Sequence, residues 1–277
     1  MTDIDTDGKR TEVPRMPSGA RLVCEHLILV WRRFLVSTTA TSIINPLLYL
    51  IALGAGLGTL VNKGPGTAAL DGVSYVQFLA PALLCAAALQ TAVTEAAYPV
   101  LSGFLWSKIF WGMTATPLTA RQVADGELAF ITLRLLLGST IYYVVVLAFG
   151  AAGGPTGVLS VLSVPIATLT GLSCAGWVLA LAATMRNEGT GFNLVFRLVV
   201  MPMTLFSGTF FPISRMPAVV RPLAWISPLW HGNELSRAVM LGGWRSLPDL
   251  GHLGYLLALV GLGLAIARRR FAKRLIV

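Results

Sequence analysis

Residues 135–185 read LLLGSTIYYVVVLAFGAAGGPTGVLSVLSVPIATLTGLSCAGWVLALAATM and contain no Asp, Glu, Lys or Arg. Built as one helix at about 1.5 Å per residue, this run would be more than twice as long as the roughly 30 Å hydrocarbon core of a bilayer. The run must therefore turn, and the sequence GAAGGPTG at 150–157 is the expected break. We infer two membrane-spanning helices joined by a tight connection, so the fold is all-α and integral to the membrane.

The other long uncharged runs predict the rest of the transmembrane domain in the same way. The first of them contains Asn45-Pro46, and the missing backbone donor of proline predicts a kink there. Residues 100–126, between the second and third runs, are expected to be an irregular polar segment. In total we predict six spans, at about 35–58, 73–98, 127–149, 158–184, 191–211 and 250–267.

The chain ahead of span one is different in character. Residues 1–17 are polar and contain two prolines, which predicts a flexible cytoplasmic tail. Residues 18–33 mix basic and apolar positions and predict an amphipathic interfacial helix with Trp31 at headgroup depth. The alternative is a plain extension of span one. Residues 34–277 are then a single six-span transmembrane domain.

Charge content and placement agree with a membrane protein. Only 12% of the residues are charged, about half the usual share in soluble domains, and the mean hydropathy is +0.74. The formal net charge of +9 comes from cations that bracket apolar runs, not from an aromatic-interleaved groove, so nucleic acid is not an expected partner. With six spans, fourteen of the 21 Lys and Arg residues lie on the side of the termini and five on the other. This bias predicts a multi-pass protein of the cell (inner or plasma) membrane with both termini in the cytoplasm.

Motifs for catalysis and metal binding are missing from the sequence. It has no HExxH, and the cysteines Cys24, Cys85 and Cys174 form no CxxC pair. Gly171-Leu-Ser173 is followed by Cys174 and not by the glycine of a membrane serine protease, so helix packing is the better interpretation. No GxxxxGK[ST] occurs, so the chain is not expected to bind ATP or another cofactor itself. We predict a non-catalytic chain without a metal site, and active pumping would need a separate ATPase.

The loop between spans two and three reads MTATPLTARQVADGE over residues 113–127. A helix can start at Thr116-Pro117, with Pro at its first position, or slightly later at Thr119, where Thr119 and Gln122 form a capping-box pattern. A short capped helix in the cytoplasm can press on a partner and transmit its motion. The alternative is an ordinary loop helix that only reverses the chain.

Residues 207–244, after span five, are too apolar for an ordinary loop. They are also broken by Pro212, Pro217, Pro222 and Pro228, which is too many prolines for a single span. We predict a helical hairpin that dips into the outer leaflet, with its aromatics at the interface. Such an extracellular re-entrant hairpin can gate the release of a substrate, or it can be a lid that only seals the bundle.

Four charged residues fall within or near the spans: Glu95, Glu127, Arg134 and Arg197. A charge in a span costs roughly 2.5–3.5 kcal/mol on insertion scales, so each one needs a reason. We expect Glu95 or Glu127 to pair with Arg134, and Arg197 to face a cavity or anionic headgroups. The alternative is snorkelling to the interface. Glu95, Arg134 and Arg197 are the candidates for an intramembrane charge cluster on a substrate path.

Five stretches of the chain have a familiar sequence and order: NPLLYLIALGAGLG (45–58), DGVSYVQFLAPALL (71–84), ATPLTARQVADGE (115–127), LFSGTFFPISRMP (205–217) and SPLWHGNELSRAVMLG (227–242). They spread over nearly the whole chain. On these stretches the chain resembles permeases of the type 2 ABC exporter family. The likeness is nearest to the branch of nodulation lipooligosaccharide and daunorubicin-resistance exporters.

The resemblance implies a dimer of two identical or related permease chains. Each chain would bind a cytoplasmic ABC ATPase, which carries the ATP and magnesium. The segment between spans two and three would be the coupling helix, and the hairpin would be the family's extracellular re-entrant element. The implied coupling residues are Thr116, Pro117, Leu118, Thr119, Arg121, Gln122 and Glu127. The implied gate residues are Phe211, Pro212, Pro228, His231 and Glu234.

The function implied by the resemblance is export of an amphipathic substrate, such as a drug, lipid or lipid-linked saccharide, out across the membrane. A near alternative is export of polysaccharide on the same scaffold. A secondary transporter that is not coupled to ATP is a different class, and its proton carrier would have to be a buried carboxylate such as Glu95. A third class is a non-transporting assembly or sensor subunit.

Overall fold

A computed structural model describes residues 18–34, 44, 47–58, 72–150, 157–186 and 189–275. Within these ranges every regular element is a helix. The predicted tail over 1–17, most of span one with its Asn45-Pro46 kink, and the connection over 151–156 lie outside the described residues. The helices are α1 (Gly19–Trp31), α2 (Leu50–Leu57, π-type), α3 (Tyr75–Leu105), α4 (Ile109–Thr114), α5 (Ala120–Ala148), α6 (Ser163–Ala182), α7 (Thr190–Phe206), α8 (Arg221–Ile226), α9 (Pro228–Leu241) and α10 (Ser246–Leu275).

Four described helical stretches are long and apolar enough to cross a membrane. They are α3 with 31 residues, α5 with 29, α6 together with its preceding 3-10 turn (Gly157–Ala182) with 26, and α10 with 30. They correspond to predicted spans two, three, four and six. In the position of span five, α7 is a shorter apolar helix that ends at Phe206, since the chain turns at Gly208, whose φ is +71°. The six-span count therefore stays a prediction.

Small residues let the long helices approach closely. A Cβ added at Gly176 in α6 would lie 2.7 Å from the backbone of Gly263 in α10. A Cβ added at Gly171 would lie 2.9 Å from the carbonyl oxygen of Ala88 in α3. Close backbone approach of this kind replaces hydrophobic burial as the reason for helix association in lipid. The packing interpretation of the GLSCAG run over 171–176 is thus supported by the structure.

One end of the bundle collects the C-terminal ends of α3, α6 and α10 and the first turns of α5. Arg274 near the end of α10 donates from Nη1 to the Ala182 carbonyl of α6 at 2.9 Å, and its guanidinium lies 4.1 Å above the Phe104 ring of α3. Arg268 pairs with Asp125 of α5. We call this the basic end, because the cations of residues 268–274 lie on it.

The other end of the bundle collects the N-terminal ends of α3, α6 and α10 with α8 and α9. There the Tyr75 hydroxyl of α3 donates to the Phe210 carbonyl at 3.1 Å. The hydroxyls of Tyr143, near the end of α5, and Ser160 lie 2.5 Å apart. We call this the hairpin end, because α8 and α9 are joined there through Ser227 alone.

The expectation of an irregular polar segment over 100–126 is wrong. Helix α3 continues to Leu105 with Pro99 inside it, and α4 follows after Lys108, whose φ is +52°. Phe110 of α4 is buried against Gly103, where a Cβ would lie 2.4 Å from its ring. An apolar side chain thus folds α4 back onto α3.

The start of α5 decides between the two predicted helix starts. Thr119 is the N-cap: its hydroxyl accepts from the Gln122 amide at 3.3 Å, and its own amide donates to the Gln122 side chain at 2.9 Å. The capping box is therefore confirmed, and the start at Thr116-Pro117 is wrong, since those residues lie in the preceding turn. The predicted short helix is not separate either, because it forms the first turns of α5 and continues into span three without a break.

Helix α1 lies within the predicted helix over 18–33 and packs along the first half of α5, while its placement at the membrane interface stays a prediction. A Cβ at Gly19 would lie 2.6 Å from the Leu118 side chain, and one at Gly126 would lie 2.5 Å from Val23. Further along, the rings of Trp31 and Phe130 lie edge to face with centroids 6.3 Å apart. The two helices therefore run side by side in the same direction.

Candidate functional site

A buried ion pair joins α3 and α5 in the middle of the described bundle. Arg134 Nη1 lies 2.9 Å from Glu95 Oε1, and the Arg134 side chain is 7% exposed. The Arg134 guanidinium also lies 4.9 Å from the ring centroid of Trp31 in α1. One guanidinium group thus connects three helices. If either partner of this buried ion pair is removed, the other charge stays buried without a countercharge, which is destabilising.

Glu127 and Arg197, the other two charged residues expected within or near the spans, have different surroundings. Glu127 is 5% exposed and lies seven residues before Arg134 on α5, hence on the same face of that helix. The sequence left Glu95 and Glu127 open as partners of Arg134, and the structure selects Glu95. Arg197 in α7 is exposed and makes no ion pair within the part of the chain that the structure describes. It does not join the cluster.

A cleft between α3 and α5 continues from Arg134 toward the hairpin end. Its walls include the apolar residues Leu84 and Ala88, and it also holds Ser139 and Tyr142. The Ser139 and Tyr142 hydroxyls are buried and have no hydrogen-bond partner among the described residues. A buried hydroxyl without a partner is uncommon and marks a place where a polar ligand atom or water can bind.

The predicted coupling residues at the basic end fall into two groups. Leu118 and Gln122 are half-buried against α1, and Glu127 is buried within the bundle. The remaining residues are exposed at or near the first turn of α5 and are free to contact another chain. They are Thr116, Pro117, Thr119 and Arg121.

At the hairpin end the turn after α7 is fixed by two side chains of α9. Asn233 donates from Nδ2 to the Ser207 carbonyl at 3.0 Å. Arg237 donates to the Gly208 carbonyl at 2.6 Å and to the Phe78 carbonyl of α3 at 3.2 Å, while its guanidinium lies 3.7 Å above the Phe78 ring. The turn, α9 and α3 are thereby fastened to one another.

Of the predicted gate residues, His231 has the most specific contacts. Its Nε2 lies 2.9 Å from the Trp225 carbonyl and its Nδ1 lies 2.7 Å from Nδ1 of His252 in α10. Since the carbonyl can only accept, Nε2 of His231 donates, and Nδ1 of a neutral His231 accepts from His252. The ring also stacks on Tyr255 at 4.0 Å. Across the described ranges, no three His, Cys, Asp or Glu side chains are placed to hold a metal ion.

The other predicted gate residues are spread around the same region. Phe211 is exposed, Pro212 is half-buried, and Pro228 is the first residue of α9. Glu234 lies 3.4 Å from Arg237 with 41% of its side chain exposed. Pro212, Glu234 and Arg237 line a cavity of about 600 Å³ between α9 and α10.

Comparison with known proteins places the chain in a family. The profile of the ABC-2 type transporter family matches residues 21–241, from within α1 to the last residue of α9. The chain belongs to the ABC-2 type transporter family. The match includes the Glu95–Arg134 pair, the start of α5 and the hairpin.

Curated relatives of this ABC-2 type permease agree with that assignment. Nodulation protein J of Rhizobium meliloti (strain 1021) is 30% identical over 249 residues, which is 87% of this chain and 90% of the relative. Nodulation protein J of Rhizobium leguminosarum bv. viciae is 30% identical over 77% of this chain and 79% of the relative. The probable multidrug ABC transporter permease YbhR of Escherichia coli (strain K12) is 27% identical over 47% of this chain and 34% of its own length.

Sequence reasoning missed two long-range contacts of this permease. Arg237 was counted only as a cation of the outer side, although it donates to the Phe78 carbonyl of α3 at 3.2 Å. Asp125 was not singled out, although its two carboxylate oxygens accept from Arg268 at 2.6 and 2.9 Å and so join α10 to the first turns of α5. Both contacts link residues more than 140 positions apart, and no local motif indicates them.

Proposed function

We propose that this ABC-2 type permease is the membrane subunit of an ATP-driven exporter of an amphipathic substrate. The observation that supports the proposal is the continuity of α5, which runs from its exposed first turn at the basic end to the buried Arg134. The distance along the helix from Thr119 to Arg134 is about 22 Å at 1.5 Å per residue. A force applied at the first turn therefore reaches the ion pair as the rigid motion of one helix.

The partner at the basic end is a cytoplasmic ABC ATPase, which supplies the ATP and magnesium. The sequence of the permease contains no P-loop of its own. In the proposed cycle, two permease chains pair, ATP closes the ATPase pair, and the first turns of α5 move with it. Helix α1 follows, because Leu118 and Gln122 pack against Gly19. The direction of transport then depends on a difference in substrate affinity between the two states.

The substrate class is proposed from the relatives, because the cleft between α3 and α5 has a volume of only about 30 Å³, which is room for a water molecule and not for an amphipathic cargo. Arg134, Ser139 and Tyr142 offer polar atoms to such a water. The relatives named above include nodulation proteins and a probable multidrug permease. We therefore propose a drug, a lipid or a lipid-linked saccharide as the substrate class.

The proposed orientation has the basic end in the cytoplasm. The cations of residues 268–274 then lie on the cytoplasmic side, as the distribution of Lys and Arg predicts. In this orientation α8 and α9 form the extracellular re-entrant hairpin. Asn233 and Arg237 of α9 donate hydrogen bonds to the turn after α7. If the hairpin moves to open a gate, the turn and α9 therefore move together.

Co-purification in mild detergent from the native membrane tests the proposal, with ATPase activity measured on the product. The native chain is compared with a Pro117→Ala, Arg121→Glu variant, whose changes lie in exposed residues at the start of α5. Arg215→Glu is the matched control, because Arg215 is an exposed cation at the hairpin end.

We expect an ATPase to accompany the native chain and the Arg215→Glu control, and to be lost or uncoupled in the Pro117→Ala, Arg121→Glu variant. If the native chain purifies alone and no ATPase is found with it, the exporter proposal fails and a secondary transporter takes its place. If the control loses the ATPase as the variant does, the partner does not dock at the start of α5.

A further inference from the structure

A second cavity lies at the basic end, between the C-terminal ends of α3, α6 and α10. It has a volume of about 470 Å³, and its lining includes the aromatic residues Phe104 and Trp111. Four cations also line it: Arg186, Arg270, Lys273 and Arg274. This cavity takes no part in the proposed ATPase coupling, because the coupling residues lie at the start of α5.

Arg274 is held in place and still has free donors. Its Nη1 donates to the carbonyls of Ala182 at 2.9 Å and Met185 at 2.7 Å, where α6 ends, and its guanidinium stacks on Phe104. Nε and Nη2 have no partner in the described ranges. The other three cations of the lining are exposed, so their ammonium and guanidinium groups are accessible.

The cavity has cations but no acidic partner among its described lining residues. Asp125, a carboxylate at the same end, is already engaged by Arg268, which does not line the cavity. Four like charges around one concave surface repel one another and favour a bound anion. Arginine in particular matches the oxygen atoms of a phosphate through paired hydrogen bonds.

The place of the cavity indicates which phosphate it takes. The cavity lies where three long apolar helices end, and this is where the bilayer meets water if those helices span it. Trp111 provides the kind of amphipathic ring that is enriched at that depth. Basic pockets between transmembrane helices on the cytoplasmic side bind anionic headgroups. We propose that this cavity binds the phosphate of an anionic phospholipid.

This lipid is distinct from the cargo and does not depend on an ATPase partner. It requires only that the basic end lies at one membrane surface. Its headgroup would screen the four cations from one another, and its acyl chains would lie along the apolar ends of α3 and α10. A bound lipid at this place holds the C-terminal ends of the three helices together.

Native mass spectrometry of the intact protein in detergent tests the proposal. The probes are phosphatidylglycerol, phosphatidylcholine and inorganic phosphate. The test variant is Arg270→Ala, Lys273→Ala, which removes two exposed cations of the cavity. Arg274 is left intact because its bonds hold the end of α6. The matched control is Lys108→Ala, Arg269→Ala, which removes two exposed cations of the same end that do not line the cavity.

We expect the native chain and the control to retain phosphatidylglycerol more tightly than phosphatidylcholine. The test variant should bind phosphatidylglycerol roughly 30-fold more weakly, since it lacks two cations that each contribute about 1 kcal/mol and 1.4 kcal/mol is tenfold in affinity. Equal loss in the test variant and the control would show non-specific attraction and overturn the proposal, as would no loss in the test variant. Displacement of the lipid by millimolar inorganic phosphate would assign the cavity to a soluble phosphate instead. Thermal unfolding of both variants checks that each is folded.

Discussion

Arg237 at the hairpin end and Arg121 at the basic end show how differently the two ends are built. The Arg237 side chain is 11% exposed and donates to main-chain carbonyls of Phe78 and Gly208, so its hydrogen bonds are used within the chain. Arg121 is exposed and makes no ion pair inside the described part of the protein. The hairpin end is fastened internally, whereas the basic end leaves charged groups available to a partner.

The comparison predicts that substitutions at the hairpin end act on stability and those at the start of α5 act on assembly. The long helix α5 and the Glu95–Arg134 pair lie between the two ends and are expected to affect both properties.

Replacement of Arg237 should have the largest effect on stability. Arg237→Ala leaves the Phe78 and Gly208 carbonyls and Glu234 without their donor, and we expect a loss of roughly 3 kcal/mol. Thermal unfolding in detergent, followed by tryptophan fluorescence, measures it. Arg221→Ala is the control, because among the described residues half-buried Arg221 donates only to carbonyls of its own segment. Equal losses in the two variants would contradict the internal fastening of α9.

Neutralisation of Glu95 should have the next largest effect. Glu95→Gln keeps the shape but leaves Arg134 facing Trp31 without a countercharge, and we expect a loss of about 2 kcal/mol. In a double-mutant cycle, Glu95→Gln with Arg134→Gln should cost less than the sum of the single changes. Additive costs would mean that the pair has no coupling. Transport that is unchanged by Glu95→Gln would also argue against a proton-coupled carrier.

Acidification should have a smaller effect, through His231. Burial is the main cause that lowers the pKa of His231 in the folded protein, and the charge of His252 acts in the same direction, while the Trp225 carbonyl opposes them. The unfolded chain therefore takes up a proton first as the pH falls. This contribution to stability is complete above the unfolded pKa and decreases below about pH 6.5.

Thermal unfolding across this pH range tests the role of His231. His231→Phe should reduce the loss of stability on acidification, and His26→Asn should not, because His26 is exposed on α1. If both variants keep the full pH dependence of the native chain, the His231 contact does not contribute to it.

The ion pair between Asp125 and Arg268 should have the smallest effect on stability. Its side chains are 27% and 44% exposed, and exposed pairs contribute about 0–1 kcal/mol. Asp125→Asn should hardly change thermal unfolding, yet it should reduce co-purification of the ATPase, because α10 is released from the first turns of α5. The charge exchange Asp125→Arg, Arg268→Asp should restore assembly. A large loss of stability in Asp125→Asn would mean that the basic end is fastened like the hairpin end.

The sequence predicted the long helices well, because lipid forces each membrane segment to satisfy its own backbone hydrogen bonds. Charge-free runs therefore indicated α3, α5, α6 and α10, although the ends differ. Helix α10 continues to Leu275, since its basic residues can stay helical outside the apolar layer. The capping box at Thr119 could also be predicted from the sequence, because its two partners, Thr119 and Gln122, are three residues apart.

The sequence could not predict which helix faces which. Glu95 and Glu127 were equal candidates for Arg134, and only the packing of α3 against α5 selects Glu95. Arg237 lies 159 residues from Phe78, and Arg268 lies 143 residues from Asp125, so no local pattern connects these pairs. The short helix α4 was missed because its position depends on the fit of Phe110 against Gly103.

Photo-crosslinking from the two ends tests directly whether an ATPase docks at the start of α5. A photoreactive amino acid replaces Arg121 at the start of α5 or, as the matched control, Val219, which is 90% exposed at the hairpin end. Both variants are irradiated in the native membrane, and the captured polypeptides are identified by mass spectrometry. We expect position 121 to capture a polypeptide with a GxxxxGK[ST] motif and position 219 not to capture it. Capture of that polypeptide at position 219, or of no ATPase at position 121, would show that an ATPase does not dock at the start of α5.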